Sequence, residues 1–395
     1  MKLKTMLKAY QIVLGFFLVL FAVFLYWLNA CYLEPFSFYS SGNLRYEKAR
    51  VLEITDSYLE KSEDTNSGFK GKQQLQMRIS SGDNKGAVIE VENHLTKTHN
   101  IYAKQGDLLI ICLDQTSQGF HASVYNYSRS HTIYFMIGFY ILLMIAVGKT
   151  KGFQSAVGLS FSFICILYFT LPLIFHGWSP IIITVISIVL ITTVSLILID
   201  GLTKKVLVAL LSTSAGVIAA GILFTLFSKL LEVSGFNLDD AEAIYLITQN
   251  TGLQLRHILF AGLLISALGA VMDVAMSIAS TMNELHERNP ELSTRELYYS
   301  GINVGKDMIG TMSNTLILAY TGSSFSTMIL FKAYCISYQQ LINMDYLVIE
   351  IAQALAGSMG IVITVPFAAL IGSNLLHMTL FKKKIIISNN SITST

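Results

Sequence analysis

GLLISALGAVMDVAMSIASTM, residues 262–282, is the stretch that decides the fold of this chain. It is apolar enough to cross a membrane, and Asp273 lies inside it. A charged turn, residues 283–291, separates it from GINVGKDMIGTMSNTLILAYT, residues 301–321, which carries Lys306 and Asp307. Because a charge at the centre of a bilayer costs at least about 2.5–3.5 kcal/mol, an ionisable residue there indicates a functional site. The sequence therefore predicts two membrane helices joined by a short turn, with a functional site on them.

Small and polar residues recur on one face of each of these two helices. Spacings of three and four residues place them on one side of a helix. The first set is Gly262, Ser266, Gly269, Asp273, Ser277 and Ser280, and the second is Asn303, Asp307, Gly310, Asn314 and Thr321. Such faces let helix backbones approach closely and keep polar groups away from lipid, so we expect the two faces to pack against each other.

Composition places most of the chain in a membrane. Of its 395 residues, 53% are hydrophobic and 13% are charged, and the mean hydropathy is +0.57. Soluble domains carry about 25% charged residues. The net charge of +2 gives no argument for nucleic acid as a partner. The four cysteines, at positions 31, 112, 165 and 335, show no paired spacing, so neither a zinc site nor any other metal or cofactor is predicted.

The N-terminal segment predicts a membrane helix and its direction. Lysines at positions 2, 4 and 8 precede an apolar run, residues 12–28. Because basic flanks stay in the cytoplasm, the next segment is expected outside it. Leu28-Asn29-Ala30-Cys31 also resembles the lipobox of a bacterial lipoprotein, with cleavage before Cys31 and lipidation of that residue. Asn29 fits that motif poorly and the apolar run is long for a signal peptide, but the alternative stays open.

Residues 34–130 predict a separate domain built of β-strands. Residues 50–54, 74–79 and 87–91 alternate between apolar and polar, which is typical of half-buried strands, and residues 108–113 and 121–127 add two more. Residues 81–86 have the composition of a turn. Five or six short strands favour a small β-barrel or sandwich. His94, His99 and His121 are scattered along it, and we interpret them as surface residues rather than ligands.

Further membrane spans are predicted at residues 133–147, 153–174, 180–199, 206–228, 257–282, 301–330 and 347–376. Basic residues at 149 and 151, 204 and 205, 288 and 295, and 382–384 fall on the side of the N-terminal lysines, so both termini are expected in the cytoplasm. The predicted fold class is an all-α polytopic membrane bundle of about eight transmembrane helices, with a small extracytoplasmic β domain between helices 1 and 2. The domain bounds are 1–33 for the N-terminal transmembrane helix, 34–130 for the β-rich domain, 131–381 for a seven-helix transmembrane domain and 382–395 for a cytoplasmic tail.

Two other segments carry polar residues outside this pair of helices. Residues 237–242 begin like a capped helix with acids in its first turn, which favours a helix lying flat on the outer membrane surface. The last span carries Glu350, Gln353, Gly357, Gly360 and Thr364 on one face. Glu350, Gln353 and Thr364 suggest a path from the outside towards Asp273, with plain helix packing as the alternative for each residue.

Two motifs carry a family resemblance. GAVMDVAMSIAS, residues 269–280, runs into Asn283-Glu284-Leu285 and resembles the signature of the YibE/F family of bacterial membrane proteins. GKDMIGTMSNTL, residues 305–316, resembles a second block of the same family. The resemblance extends over essentially the whole chain, but it implies no defined biochemical activity.

The same region has a more distant resemblance. An Asp in a Gly-rich helix, a charged turn with residues 291–296 and a following Ser/Thr-rich helix resemble the fourth and fifth helices of RND-superfamily permeases and of the SecD/SecF export factors. In those proteins the acidic helix serves proton coupling, so the resemblance implies an RND-like transporter. This chain departs from the pattern in having one Asp rather than a pair, two extra helices near residues 153–199 and a much smaller outer domain.

The depths of the charges suggest a mechanism. Asp273 lies about nine residues from one end of its helix and Lys306 about six from the start of the next, so both are expected roughly 9–14 Å deep and within reach of each other. Asp307 is expected to have a different partner. A carboxylate that exchanges a lysine partner for a proton is a switch that a proton gradient drives, whereas a permanent salt bridge only fixes the bundle.

The predicted function is a proton-coupled transporter or export factor. Its proton-coupling residues are Asp273, Lys306, Asp307, Ser277, Asn303 and Asn314. The alternative is a membrane scaffold or assembly subunit that binds a partner membrane protein without transport. No enzyme is predicted, since Asp273 lacks the Gly-x-Gly-Asp context and second membrane Asp of an intramembrane protease. The expected partners are the lipid bilayer and either a second copy of the chain or a paired YibE/F-type membrane protein, in the bacterial cytoplasmic membrane.

Overall fold

The computed structural model describes residues 2–32, 44–61, 68–96, 98–116, 119–233 and 253–392. It divides into two compact units, one formed by Ser37–Leu143 and the other by Met1–Phe36 together with Met144–Thr395. The acidic segment at residues 237–242, where the sequence predicts a surface helix, lies outside the described residues.

The first unit contains a five-stranded antiparallel sheet. The strands are β1 (Leu44–Lys61), β2 (Phe69–Ile79), β3 (Val88–Leu95), β4 (Leu108–Thr116) and β5 (Gly119–Tyr127). Their order in the sheet is β3-β2-β1-β4-β5. The long β1 pairs with β2 over most of its length and with β4 over its first half. Contacts between the two edge strands β3 and β5 show that the sheet curls into a half-barrel. The alternating segments of the sequence are therefore strands, as predicted.

A buried polar pair fixes the loop that leads into β4. Asn93 and Gln73 are each 1% exposed. The Asn93 side-chain nitrogen donates to the Gln73 side-chain oxygen at 3.2 Å and to the Ile101 carbonyl at 2.7 Å. Gln73 in turn donates to the Ala103 carbonyl at 3.1 Å and accepts from the Ala103 backbone nitrogen at 3.0 Å. Buried polar groups are retained where they are hydrogen-bonded, so these contacts hold residues 101–103 against the apolar core of the sheet.

The remaining elements are helical. They are α1 (Lys2–Trp27), continued by a π turn at Leu28–Tyr32; α2 (Ser130–Cys165), continued by a π turn at Ile166–Thr170; α3 (Leu171–Phe175); α4 (Pro180–Asp200); α5 (Lys204–Leu230); α6 (Leu255–Arg288); α7 (Thr294–Ser323); α8 (Phe325–Ala333); α9 (Tyr338–Ile342); and α10 (Asp345–Ile392).

Five helical segments are long and apolar enough to cross a membrane. They are Ser130–Phe175, Pro180–Asp200, Lys204–Leu230, Leu255–Arg288 and Asp345–His377. A sixth span results if α7 and α8, which meet at a 57° bend, are taken as one broken span. The apolar part of the first helix, Gly15–Ala30, is shorter. The chain is thus a multi-span helical protein with a β domain. Its described residues contain five or six candidate spans, and the count of eight stays a prediction.

The expected spans 133–147 and 153–174 lie in one helical segment with a sharp break. Lys149 has φ 50° and ψ −126°, values that no helix accommodates. After it the chain passes so close to itself that a Cβ on Gly152 would overlap the Met144 carbonyl oxygen. The boundary predicted between the two spans therefore exists as a corner of the backbone.

Helix α6 lies at the centre of the helical unit. It packs against α4, α5, α7 and α10. Close approaches occur at glycines, where a side chain would collide with the neighbouring helix. A Cβ on Gly360 of α10 would lie 2.7 Å from the Ala220 Cβ on α5, and a Cβ on Gly305 of α7 would lie 3.1 Å from the Val365 Cβ on α10. Small residues at these crossings let the helices pack closely, as the sequence predicts for α10.

Candidate functional site

Asp273 lies near the middle of the 34-residue helix α6, on its exposed side. Gly262, Ser266 and Gly269 are exposed on the same side, while Val271 and Val274 on the other side are fully buried. A Cβ added to Gly262 or Gly269 would meet no atom within 4 Å. These glycines therefore do not bring another helix of this chain close to Asp273, contrary to the packing predicted for this face.

The Asp273 carboxylate has no partner among the residues that the structure describes. None of the hydrogen bonds or ion pairs of α6 includes it. A carboxylate inside a membrane helix is expensive to keep unless it is paired, protonated or hydrated.

The expected ion pair between Asp273 and Lys306 does not form. A Cβ on Gly301 would lie 2.6 Å from the Met282 sulfur, so these two positions are level across the antiparallel pair. Counting five residues from each places Lys306 level with Ser277, about 6 Å along the helix axis from Asp273. Lys306 is also exposed, and it forms no ion pair among the described residues. The depth offset separates the two charges.

Helix α7 presents its polar face outward. Its buried residues are Leu297, Gly301, Gly305 and Leu316. The exposed residues include the whole predicted polar face and its neighbouring lysine: Asn303, Lys306, Asp307, Gly310, Asn314 and Thr321. Of the predicted proton-coupling residues, only Asp273 and the partly buried Ser277 are on α6. The structure therefore places the predicted residues on two separate faces.

A tyrosine that the sequence did not single out links α6 to a cavity. The Ser266 hydroxyl lies 2.6 Å from the Tyr320 hydroxyl of α7. Tyr320 lines a cavity of about 280 Å³ bounded by α7, α8 and α10, and Glu350 lines the same cavity. Ser324, at the bend between α7 and α8, lines this cavity too and accepts a hydrogen bond from the Tyr346 hydroxyl at 3.2 Å. One Glu350 oxygen, Oε2, is buried without a hydrogen-bond partner.

The connection through Tyr320 was invisible in the sequence because it depends on the register of two helices. The Ser and Gly spacing on α6 identified Ser266 as part of a polar face, but an aromatic residue in an apolar run carries no such signal. A buried tyrosine hydroxyl needs a hydrogen-bond partner, and this requirement is the only property of Tyr320 that could have pointed to the contact.

Gln353 and Thr364, predicted with Glu350 as an outer path, lie in helix packing. The Gln353 side chain donates to the Leu259 carbonyl of α6 at 3.4 Å. Thr364 is fully buried, donates to the Gly360 carbonyl within its own helix at 2.7 Å, and fills the space left by Gly216. Their contacts hold α10 against α5 and α6, and the path remains a prediction for them.

A second charged cluster lies at the ends of α4 and α5. Asp200 is bridged by Lys205 at 2.8 Å and by Lys151 at 3.3 Å. An adjacent cavity of about 600 Å³ is lined by Asp200, Thr203, Lys204, Lys205, Asn283, His286, Glu287 and Leu376. Among the described residues, no group of three or more His, Cys, Asp or Glu side chains is placed to hold a metal ion. The ion pairs of this cluster join the end of α4 to the start of α5 and to α2 just after its break.

Two family profiles match the chain. The profile described as YibE/F-like protein matches residues 136–378, and the profile described as YibE/F family N-terminal domain matches residues 37–127. Neither a curated protein nor a solved structure matches. Kinship with the RND permeases or with SecD/SecF therefore receives no support. The larger match contains Asp273, Tyr320 and Glu350, and it covers more than half of the chain.

Proposed function

Because this chain belongs to the YibE/F family, a name that assigns no activity, we propose its function from the site itself: a proton-coupled membrane transporter or export factor in which Asp273 carries the proton. The observation that carries this proposal is the position of Asp273 in the middle of an apolar helix, where no described residue pairs with its carboxylate.

A proton changes the state of such a carboxylate more than any other ligand. Moving an isolated charge into lipid costs at least about 2.5–3.5 kcal/mol, so the ionised form requires water or a cation and the neutral form does not. The ionised and the neutral carboxyl group therefore stabilise different conformations around α6, one that admits water or a cation and one that excludes it. A proton gradient that alternately loads and unloads Asp273 can drive a conformational cycle, since the ligand has different affinities for the two states.

The Tyr320 contact supplies a route to this carboxylate. Glu350 and Tyr320 share a cavity, and Tyr320 meets Ser266 on the same face of α6 as Asp273. Seven residues, or two helical turns, separate Ser266 from Asp273, which is about 10 Å. Hydroxyl groups both donate and accept hydrogen bonds, so with intervening water each group takes up a proton on one side while it releases one on the other.

The orientation that fits this function is the one the basic residues indicate. With both termini in the cytoplasm of a bacterial cell, the β domain at residues 37–127 lies outside and handles substrate or a partner. The Glu350 end of α10 then faces outside and the Asp200 cluster faces the cytoplasm. A proton would enter through the Glu350 cavity and leave near the lysine-rich side.

The test does not require a known substrate. Cysteines at positions 31, 112, 165 and 335 are replaced, and a single cysteine is introduced as Gly269→Cys, one turn from Asp273 in open space. Its reaction with a membrane-impermeant thiol reagent is followed against pH in proteoliposomes. We expect a pH-dependent rate that Asp273→Asn abolishes and Asp273→Glu partly keeps. Lys306→Gln, which removes a charge on α7 rather than on α6, serves as the control. If the Asp273→Asn protein keeps the pH dependence of the unaltered protein, proton coupling through Asp273 is refuted.

The outward polar face of α7 favours the second candidate, a scaffold or assembly subunit. A scaffold needs a surface for a partner and no titrating group, so it predicts that Asp273→Asn changes neither accessibility nor any cellular phenotype. Stoichiometric copurification of a membrane protein with such a variant would favour this function over transport.

A further inference from the structure

The exposed side of α7 is more polar than its buried side, which is the reverse of what lipid requires. Leu297 and Leu316 face the rest of the protein, while Asn303, Asp307 and Asn314 face away from it. In hydrocarbon, unpaired polar side chains are costly, and helix association satisfies them. The outward side of α7 therefore requires a polar neighbour that this copy of the chain does not provide in its described part.

The outward residues repeat with the spacing of a helix–helix seam. Asn303, Asp307, Gly310 and Asn314 follow one another at steps of four, three and four residues, and all four are exposed. That repeat is the heptad pattern in which two parallel helices pack side by side. Gly310 lies in open space, with no atom within 4 Å of an added Cβ, so a second helix can approach closely there.

The charges on this seam are complementary to themselves. Lys306 and Asp307 are consecutive, so they lie at nearly the same depth and point about 100° apart, to either side of the line through Asn303 and Gly310. A two-fold axis along the membrane normal brings opposite sides of this line together on two identical helices. Lys306 of each copy then meets Asp307 of the other, and both ion pairs form at once.

We propose that α7 is a two-fold interface with a second copy of this chain, closed by reciprocal Lys306–Asp307 pairs. A two-fold interface uses the same patch twice and must be self-complementary, which a lysine beside an aspartate at one depth satisfies. Neither side chain forms an ion pair within the described part of the chain, where the pairs are made by other residues. Asn303 and Asn314 on the seam supply hydrogen bonds that fix the register.

The first measurement is cross-linking through a single cysteine. In the protein with its native cysteines replaced, Gly310→Cys places a thiol near the proposed axis. Ile222→Cys on α5 is the matched control, since that side chain is 65% exposed on a membrane helix outside the seam. In native membranes, we expect a cross-linked dimer from position 310 and little from position 222. Equal cross-linking at both positions, or cross-links from position 310 only to other proteins, would overturn the proposal.

The second measurement uses charge reversal in the Gly310→Cys background. Lys306→Asp gives each copy two acids at one depth, and Asp307→Lys gives each copy two bases. We expect each single reversal to lower the dimer equilibrium constant by roughly tenfold, which corresponds to about 1.4 kcal/mol. Two differently tagged copies, one with each reversal, should cross-link to each other as well as the unaltered protein does. The double reversal should also restore self-association.

These outcomes separate the interface from general damage and from the proposed proton coupling. A reversal that simply unfolds α7 cannot be rescued by mixing with the opposite reversal, so failure of both the mixed pair and the double reversal would refute the Lys306–Asp307 contact. Asp273→Asn is expected to leave the cross-link at position 310 unchanged. Loss of dimers with intact pH-dependent accessibility at position 269 would thus reject the interface alone.

Discussion

Gly305 fixes which side of α7 faces outward, and adding one methyl group to it tests that packing. A Cβ at this position would lie 2.9 Å from the Val365 Cγ2 and 3.1 Å from the Val365 Cβ, with Cγ1 closer still. Val365 is 2% exposed and has little room to move. Overpacking of this kind costs about 1–3 kcal/mol. Gly305→Ala also gains about 1 kcal/mol of helix propensity, which opposes the loss.

A matched Gly→Ala control corrects for the gain in helix propensity. Gly269→Ala on α6 adds the same methyl group in open space, away from the α7 seam. The difference in free energy of unfolding between the two variants isolates the packing cost, and we expect Gly305→Ala to be less stable by about 1–3 kcal/mol. Unfolding in mixed micelles with increasing SDS, followed by circular dichroism, measures this difference. Adding Val365→Ala should recover part of the loss, because the two sites are in contact.

One result would refute the reasoning. If Gly305→Ala is as stable as Gly269→Ala, then α7 does not approach α10 at this residue as closely as the structure shows. The orientation of the outward seam would lose its support with it, since that orientation follows from which residues of α7 touch α10.

Three further outcomes are expected. Asn93→Ala should destabilise the β domain by about 1–3 kcal/mol, because it leaves the buried Ile101 carbonyl without its hydrogen-bond donor. Faster hydrogen exchange at residues 101–103 of the full-length protein should report this loss. Tyr320→Phe should weaken the pH dependence of thiol accessibility at position 269 while the protein accumulates normally; an unchanged profile would remove Tyr320 from the route. In intact cells, an impermeant thiol reagent should label Tyr58→Cys and spare Asn289→Cys, and the reverse pattern would invert the orientation.

The strands and most helices could be predicted because their signals are local. Period-two alternation identified residues 74–79 and 87–91 as strands, and long apolar runs identified α4, α5 and α6. The order of the strands could not be predicted, since β1 pairs with β4 across more than forty residues and no local pattern records that pairing. The Asn93–Gln73 contact was missed for the same reason, because each residue alone resembles a polar position on a strand surface.

Periodicity identified the polar faces in the membrane helices, but it could not say what lies against them. Gly357 and Gly360 of α10 form a stripe that packs against Leu316 and Ala220 of this chain. Gly262 and Gly269 of α6, two helical turns apart, also share one face, and an added Cβ at either would meet no atom within 4 Å. In water, hydrophobicity tells the buried face from the exposed one, whereas in lipid both neighbours are apolar and that distinction is lost.

Whether a polar face packs within the chain depends instead on how many helices surround that helix. Helix α10 has α5 on one side and α7 on the other, so its small residues are used within the chain. Helix α7 packs mainly on α10, and no other described segment covers its exposed Asn303 and Asn314. A stripe of small and polar residues in this sequence therefore predicts a close helix contact without saying which molecule provides the second helix. For α10 the same chain provides it, and for α7 the proposed partner is a second copy, because the Lys306 and Asp307 charges are complementary to themselves.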